Sequence, residues 1–193
     1  MRIAIIQGHP DKAGGHFCDA LEAAYAEGAR ESGHEVRVVH VARLAFPLLA
    51  SKVDWDTGEP VADIRGAQET IAWADHLVVI YPLWLGDMPA LLKGFLEQVL
   101  RPGFAVSKGA GANAFKTLLS GRSARIVVTM GMPAFIYRWY FGSHSLISLK
   151  RNILGFCGIG PIRCTVIGSV EGMGAARRDG CLSDLRDLGR NAR

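Results

Sequence analysis

Short β-branched runs alternating with longer helical patterns predict a doubly wound α/β fold, a three-layer sandwich built on a five-stranded parallel sheet. Two observations carry this. Apolar runs of strand length recur, the first of them, Arg2 to Gln7, continuous and β-branched as expected of a strand buried on both faces. They are also separated by helix-length stretches, which imply right-handed crossovers with helices on both faces. Five such strands suit the order 2-1-3-4-5, whose ligand site lies beyond the carboxyl ends of the strands. With 193 residues and no internal repeat, linker or low-complexity tract, the chain is expected to form one domain, 1–193.

Arg2 to Gln7 reads as the first strand, followed by a loop rich in Gly, Pro and Asp from Gly8 to Gly15. Phe17, Leu21, Ala24 and Tyr25 recur at helical spacing until Gly33, a helix stop. Glu35 to Val41 is the second strand. The segment from Arg43 to Asp63 is irregular, broken by Pro47, Gly58 and Pro60, and is long enough to suggest a working loop. Helix returns from Ile64 to Ala74, and His76 to Tyr81 forms the third strand, ended by Pro82. Pro89 opens a helix that carries Leu91, Leu92, Phe95, Leu96, Val99 and Leu100. A Gly/Ala-rich loop from Lys108 to Ala114 leads to a fourth strand at Arg125 to Met130. Ile162 to Gly168 is the fifth, and Ala175 to Arg193 the final helix.

The composition, 49% hydrophobic and 21% charged, is that of an ordinary globule, and no apolar run reaches the length of a membrane span. The N-terminal run is too short for a signal peptide and lacks a small-residue cleavage site, so a cytoplasmic location is expected. Cys18, Cys157, Cys164 and Cys181 show no Cys-x-x-Cys spacing, so neither a metal site nor a disulfide framework is expected. Between Glu97 and Glu171 there is no acidic residue, whereas Arg101, Lys108, Lys116, Arg122, Arg125, Arg138, Lys150, Arg151 and Arg163 all fall there. That half favours an anionic partner. No helix-turn-helix, zinc finger or basic repeat accompanies the charge, so a phosphate-bearing small molecule is expected rather than nucleic acid.

Three strand-end loops are the candidate site. The first, Gly8 to Cys18, runs into a helix N-terminus, where free N–H groups and the positive dipole end can hold a phosphate. It is neither a Gly-x-Gly-x-x-Gly fingerprint nor a Walker loop. Gly14 and Gly15 allow close backbone approach, and His9 and His16 can donate to phosphate oxygens; solvent-facing histidines on a Gly-rich turn are the competing reading. The second loop, Tyr81-Pro82-Leu83-Trp84-Leu85-Gly86, is too apolar for a solvated turn. It could carry a flat cofactor ring read by main-chain groups, and Trp84 could equally fill a core or a subunit contact. The third loop, Thr129 to Tyr137, offers a hydroxyl and the backbone of Gly131. Beyond it lie Arg138, Trp139, Tyr140, Phe141 and His144, with Tyr137 and His144 as candidate proton donors.

With these motifs in order, the sequence resembles the NAD(P)H:quinone oxidoreductase family, a flavodoxin-like group that includes DT-diaphorase, MdaB-type quinone reductases and KefF-type ancillary subunits of potassium efflux systems. The resemblance rests on Gly8-His9-Pro10-Asp11, Phe46-Pro47-Leu48-Leu49, Ala74 to Trp84, Gly86 to Phe95, Thr129-Met130-Gly131 and Tyr137. It implies a flavin with its phosphates on His9 and the turn Gly15-His16-Phe17-Cys18, and with Gln68 near the same end. Its ring would rest on Pro82, Leu83, Trp84 and Leu85 and on Thr129, Met130, Gly131 and Met132. Tyr137 would supply a hydroxyl to the ring or the acceptor, and His144 matches the family's following His one residue late. The resemblance implies ping-pong transfer from NAD(P)H to a small-molecule acceptor such as a quinone. It also implies FAD, with FMN as the alternative, and a homodimer with the site at the interface. This chain departs from many relatives in having Gly15, His16 and Cys18 in the phosphate turn, and Met132 where they have a second Gly.

Three other functional classes bear on the same sequence. A regulatory partner of a membrane transport system would use the same basic, acid-free stretch. A short electron carrier is disfavoured, because its Ser/Thr-rich phosphate loop is absent and such carriers are acidic. A hydrolase lacks its Gly-x-Ser-x-Gly elbow.

Overall fold

The first strand, β1 (Arg2–Gln7), shows in miniature how the sheet divides the core. Ile3 and Ile5 point to one face and Ala4 and Ile6 to the other, and all four are buried. The computed structural model describes residues 1–108 and 115–192. After β1 come α1 (Phe17–Glu31), β2 (Glu35–His40), a 3₁₀ turn at Val41–Arg43, α2 (Lys52–Thr57), α3 (Ala62–Trp73) and β3 (His76–Pro82). Then follow α4 (Ala90–Val99), β4 (Val106–Lys108), β5 (Phe115–Thr117), β6 (Ser123–Thr129), α5 (Ala134–Trp139) and α6 (His144–Ile147). A π-helical stretch at Ser148–Gly155, β7 (Ile162–Ile167) and α7 (Ala175–Arg190) complete the order.

The main sheet runs β2-β1-β3-β6-β7 with every pairing parallel, the order expected from the sequence. One face packs on α1 and α7, the other on α3, α4 and the segment around α6. Gly33 ends α1 as expected: its φ is +76°, and the N–H groups of Gly33 and His34 bond back to Arg30 and Ala29.

Helices α1 and α7 meet at backbone distance. A Cβ at Gly28 would overlap the Arg186 carbonyl, and one at Gly189 would overlap that of Tyr25. Arg186 pairs with Glu27, and Arg190 with Glu31 at 2.8 Å, on the exposed rim of the contact.

The segment expected to be irregular from Arg43 to Asp63 contains a short helix, α2, capped by Ser51, whose hydroxyl accepts the N–H of Asp54 at 3.0 Å. The rest is fastened to α4 and its end. Gln98 Nε2 donates to the Pro47 carbonyl at 2.6 Å. Arg101, only 4% exposed, donates through Nη1 to the carbonyls of Asp54 (3.0 Å) and Gly58 (2.6 Å). Phe46 lies edge-on to Phe95, and Leu48 presses on Gly94, where a Cβ would clash with it.

The β4–β5 hairpin and the helical run from Ala134 to Gly155 had no expected counterpart. The expected Gly/Ala-rich loop falls, beyond Lys108, outside the described residues. The basic stretch is in part internal. Arg101 and Arg125 are buried, Arg125 donating to Thr165 Oγ1 at 2.6 Å. Arg122 caps the end of α3 through the carbonyls of Ile71 and Ala72.

Two outcomes follow. Gly28→Ala should cost about 2–3 kcal/mol, because the helix pair must separate to admit the methyl; the urea midpoint measures it. His76 is 2% exposed, with Nδ1 2.7 Å from Ser123 Oγ, and burial pushes its pKa down to about 4. The unfolded chain therefore binds a proton on His76 from about pH 6.5 downward while the folded one does not. Stability should fall from about pH 6.5 to about pH 4 by on the order of 3 kcal/mol from this residue. His76→Gln should flatten that slope in urea titrations taken across the window.

Candidate functional site

Parallel register sets three loops side by side. Gln7 pairs with Ile80 and Pro82 with Thr129, so β1, β3 and β6 end at one edge. Gly8 N–H bonds the Ile80 carbonyl at 2.8 Å and Leu83 N–H that of Thr129 at 2.7 Å, continuing the ladders into the loops.

The first loop closes on itself through a ring of hydrogen bonds. His9 N–H donates to Gln7 Oε1 at 2.8 Å, and Gln7 Nε2 donates to Asp19 Oδ1. Asp19 Oδ2 accepts the N–H of His16 at 2.9 Å, closing half of a capping box at the start of α1. His16 Nε2 lies 2.9 Å from Asp11 Oδ2, and Asp11 N–H donates to His9 Nδ1 at 3.2 Å. The two imidazoles stack, 3.8 Å between centroids and 16° between planes, and Trp84 meets His9 edge-on at 5.8 Å. Burial first, then the neighbouring His16, pushes the His9 pKa below its usual value.

Gly14 and Gly15 both have positive φ, +73° and +82°, and a Cβ on Gly15 would meet nothing within 4 Å. The bonds of α1 begin at the N–H of Asp19, which leaves those of Phe17 and Cys18 without intrahelical acceptors. Lys12, His40 and Arg43 line the adjoining hollow. Phe17 lies under the guanidinium of Arg178, 5.3 Å from its centroid. Cys18 is buried, its Sγ 3.4 Å from Thr129 Oγ1, and burial pushes its thiol up to about 11. The Cys18 side chain is thus committed to the core, which leaves its main-chain N–H as the group it can offer at the helix start.

The second loop is a tight turn. Trp84 and Asp87 exchange main-chain hydrogen bonds of 2.8 and 3.0 Å around Leu85 (φ +47°) and Gly86 (φ +81°). Two successive positive φ values are the signature of a type I′ turn. Gly86 adopts one without strain; Leu85 is a bulky residue held in a region that costs of order 1 kcal/mol or more. Its side chain is fully exposed, and Trp84 is 51% exposed. Pro82 is buried and Leu83 half-buried, so the loop forms an apolar shelf.

In the third loop Thr129 and Met130 are buried, Gly131 is exposed and Met132 half-buried. The carboxylate of Glu171 closes over Gly131, where a Cβ would sit 2.9 Å from Oε1. Sequence reasoning missed Glu171; its signal was its place just past the fifth strand, at the end of the acid-free stretch.

Two expected site residues do not join the others. The Tyr137 phenol is turned into the core, 1% exposed, 2.7 Å from Ser145 Oγ and accepting the N–H of Leu146 at 3.1 Å. It ties α5 to α6 and has no face toward a ligand. Gln68 donates to the Val99 carbonyl at 3.0 Å, in a cleft with Gly58, Pro60 and Arg101 rather than beside His9. His144 is exposed at the start of α6, its ring folded back over Gly142.

The residues present fit a phosphate-bearing cofactor with a flat ring. Unbonded N–H groups open α1, a cradle at Gly15 has room for an oxyanion, and an exposed apolar shelf stands beside it.

The likeness to known proteins agrees with this geometry. An uncharacterized NAD(P)H oxidoreductase of Haemophilus influenzae is 27% identical over 89% of this chain and 85% of its own length. The NAD(P)H:quinone oxidoreductase of Methanothermobacter marburgensis superposes with a TM-score of 0.80 at 26% identity, covering 100% of this chain and 99% of that one. The potassium-efflux ancillary protein KefG of an Enterobacter species is 41% identical, but over only 39% of this chain and 38% of its own. The family model described as flavodoxin-like fold runs through residues 1–188, from β1 into the last turns of α7, and the chain belongs to that family.

Proposed function

We propose that this chain is a flavin-dependent NAD(P)H oxidoreductase that passes two electrons to quinones or similar small electrophiles. The observation that carries it is the convergence of the α1 N-terminus and the Pro82–Leu85 shelf, joined by the contact between His9 and Trp84. The named relatives of matching length, in Haemophilus influenzae and Methanothermobacter marburgensis, support the reaction class. The transport-subunit reading rests on a match to less than half of either chain and is not favoured.

In this reading the N–H groups of Phe17 and Cys18, with His9 and His16, hold the cofactor's phosphate. The backbone from Pro82 to Leu85 and from Thr129 to Met132 supports and reads the ring. When bound, a flavin accepts a hydride from a nicotinamide and yields two electrons to the next acceptor. The protein's part is orientation, charge control and exclusion of water. Glu171 contributes a negative charge beside Gly131. With Tyr137 committed to the core, His144 is the exposed one of the two candidate proton donors, and in this reading it gives a proton to the reduced acceptor. We assign FAD rather than FMN, because the long loop after β2 is retained and fastened to α4 by Gln98 and Arg101.

Water exclusion needs a second chain. Trp84, Leu85, Phe135, Trp139 and Tyr140 are all more than half exposed, more large apolar surface than an isolated domain leaves uncovered near a site. We propose a homodimer closing over this face. A cytoplasmic location accords with four cysteines that are all free thiols.

The purified protein should be yellow, bleached by NADH or NADPH and recoloured by a quinone, and mass spectrometry of the released flavin should give FAD. A colourless protein that takes up neither FAD nor FMN rules the reading out. In sedimentation the chain should run near twice its 20.8 kDa. Trp139→Asp should shift it to the monomer and raise the Kd for flavin by about tenfold or more, as expected for a lost aromatic anchor. A Trp139→Asp dimer of unchanged stability would remove that face from the interface.

A further inference from the structure

A carboxylate at a phosphate site is an electrostatic cost unless its charge is engaged. Asp11 stands in the loop that holds His9 and His16, and both of its oxygens are occupied. Oδ1 accepts the N–H of Ala13 at 2.9 Å and Oδ2 lies 2.9 Å from His16 Nε2. The Ala13 N–H, and after it the His16 ring, hold its carboxyl below the usual carboxylate range. Its main chain has a second task, because the N–H of Asp11 points at Nδ1 of His9.

We propose that Asp11 is the positioning residue of the phosphate turn, setting the tautomer of His9 with its N–H and the place of His16 with its carboxylate. The inference rests on the reading that the first loop holds the flavin's phosphate. A ring whose Nδ1 accepts a hydrogen bond carries its proton on Nε2. His9 is 8% exposed, and its Nε2 has no hydrogen-bond partner among the described residues. The buried ring therefore offers one N–H, as a neutral donor, and only in the tautomer that Asp11 selects. His16, stacked 3.8 Å away, fixes the plane of that ring from one side, and Asp11 in turn holds His16. Behind both, Gln7 and Asp19 complete the circuit, so a displaced Asp11 would release two imidazoles at once.

Simple electrostatics predicts the opposite effect of changing Asp11. Removing a negative charge beside a phosphate should tighten binding; removing a positioning residue should loosen it. Flavin-fluorescence titration of wild type, Asp11→Asn and Asp11→Ala with FMN and with riboflavin, which lacks the phosphate, separates the two. Both variants should raise the Kd for FMN by about fivefold or more, the equivalent of one net hydrogen bond, and leave the Kd for riboflavin unchanged. An FMN Kd that stays equal or falls in Asp11→Asn, while wild type still prefers FMN over riboflavin, overturns the role of Asp11 alone. Equal wild-type affinity for FMN and riboflavin overturns the phosphate reading with it. The second measurement needs no variant. Long-range ¹H–¹⁵N correlation on the ligand-free wild type should show His9 protonated at Nε2 and bare at Nδ1, and the opposite tautomer overturns the proposal.

Discussion

β3 is hydrogen-bonded along both edges, to β1 on one side and β6 on the other, and all seven of its residues are buried. A parallel strand caught in this way cannot slip by one residue without turning its whole side-chain set to the wrong face. The heights at which the chain leaves the sheet are thus fixed before any loop residue is chosen. Everything at the candidate site depends on that registration. Trp84 reaches His9, and Cys18 reaches Thr129, because β3 and β6 end level and β1 ends two residues below them at the same edge.

Above the sheet the order changes in kind. The strands are held by apolar burial and ladder bonds, whereas the first loop is held by a circuit of small polar contacts among Gln7, His9, Asp11, His16 and Asp19. Gln7 belongs to both, ending β1 at 3% exposure while its amide organises the loop. That dual residence makes the loop a rigid continuation of the strand. The second loop gets its shape differently, from paired positive φ values that oblige Leu85 to stand out into solvent.

The fold was legible in the sequence because its central strands, β1, β3 and β6, are apolar runs and helix-length stretches separate them. Gly33 and Pro82 each ended the element they were expected to end. The site was legible as a set of loops and less so as a set of side chains. His9, His16 and the Tyr81 to Gly86 segment were recognisable from composition. Which way a side chain turns, however, is decided by packing: Tyr137 has the composition of a proton donor and the burial of a core residue, with Ser145 and Leu146 as its partners. Gln68 likewise answers to the Val99 carbonyl, a contact 31 residues away that no local pattern announces. The helical run after Pro133 went unread because its apolar positions are interrupted at Gly142 and its last part has π rather than α spacing. Arg101 and Arg125 were counted toward a charged surface, and the structure places both inside.

Arg101 has one more consequence. Its guanidinium is almost wholly enclosed, held by the carbonyls of Asp54 in α2 and of Gly58 just after it, and by the Gln98 side chain. Were that stretch to lift away, both carbonyl bonds to the guanidinium would be exchanged for water together, at a cost of about 1.5–3 kcal/mol for each bond to a charged group. The segment therefore does not behave as a loop in the energetic sense, despite its Pro and Gly content. Its amides should open in step with α4 rather than ahead of it, as parts of one cooperative unit. Insertions between Pro47 and Gly58 would therefore cost more stability than the Pro and Gly content of a nominal surface loop suggests.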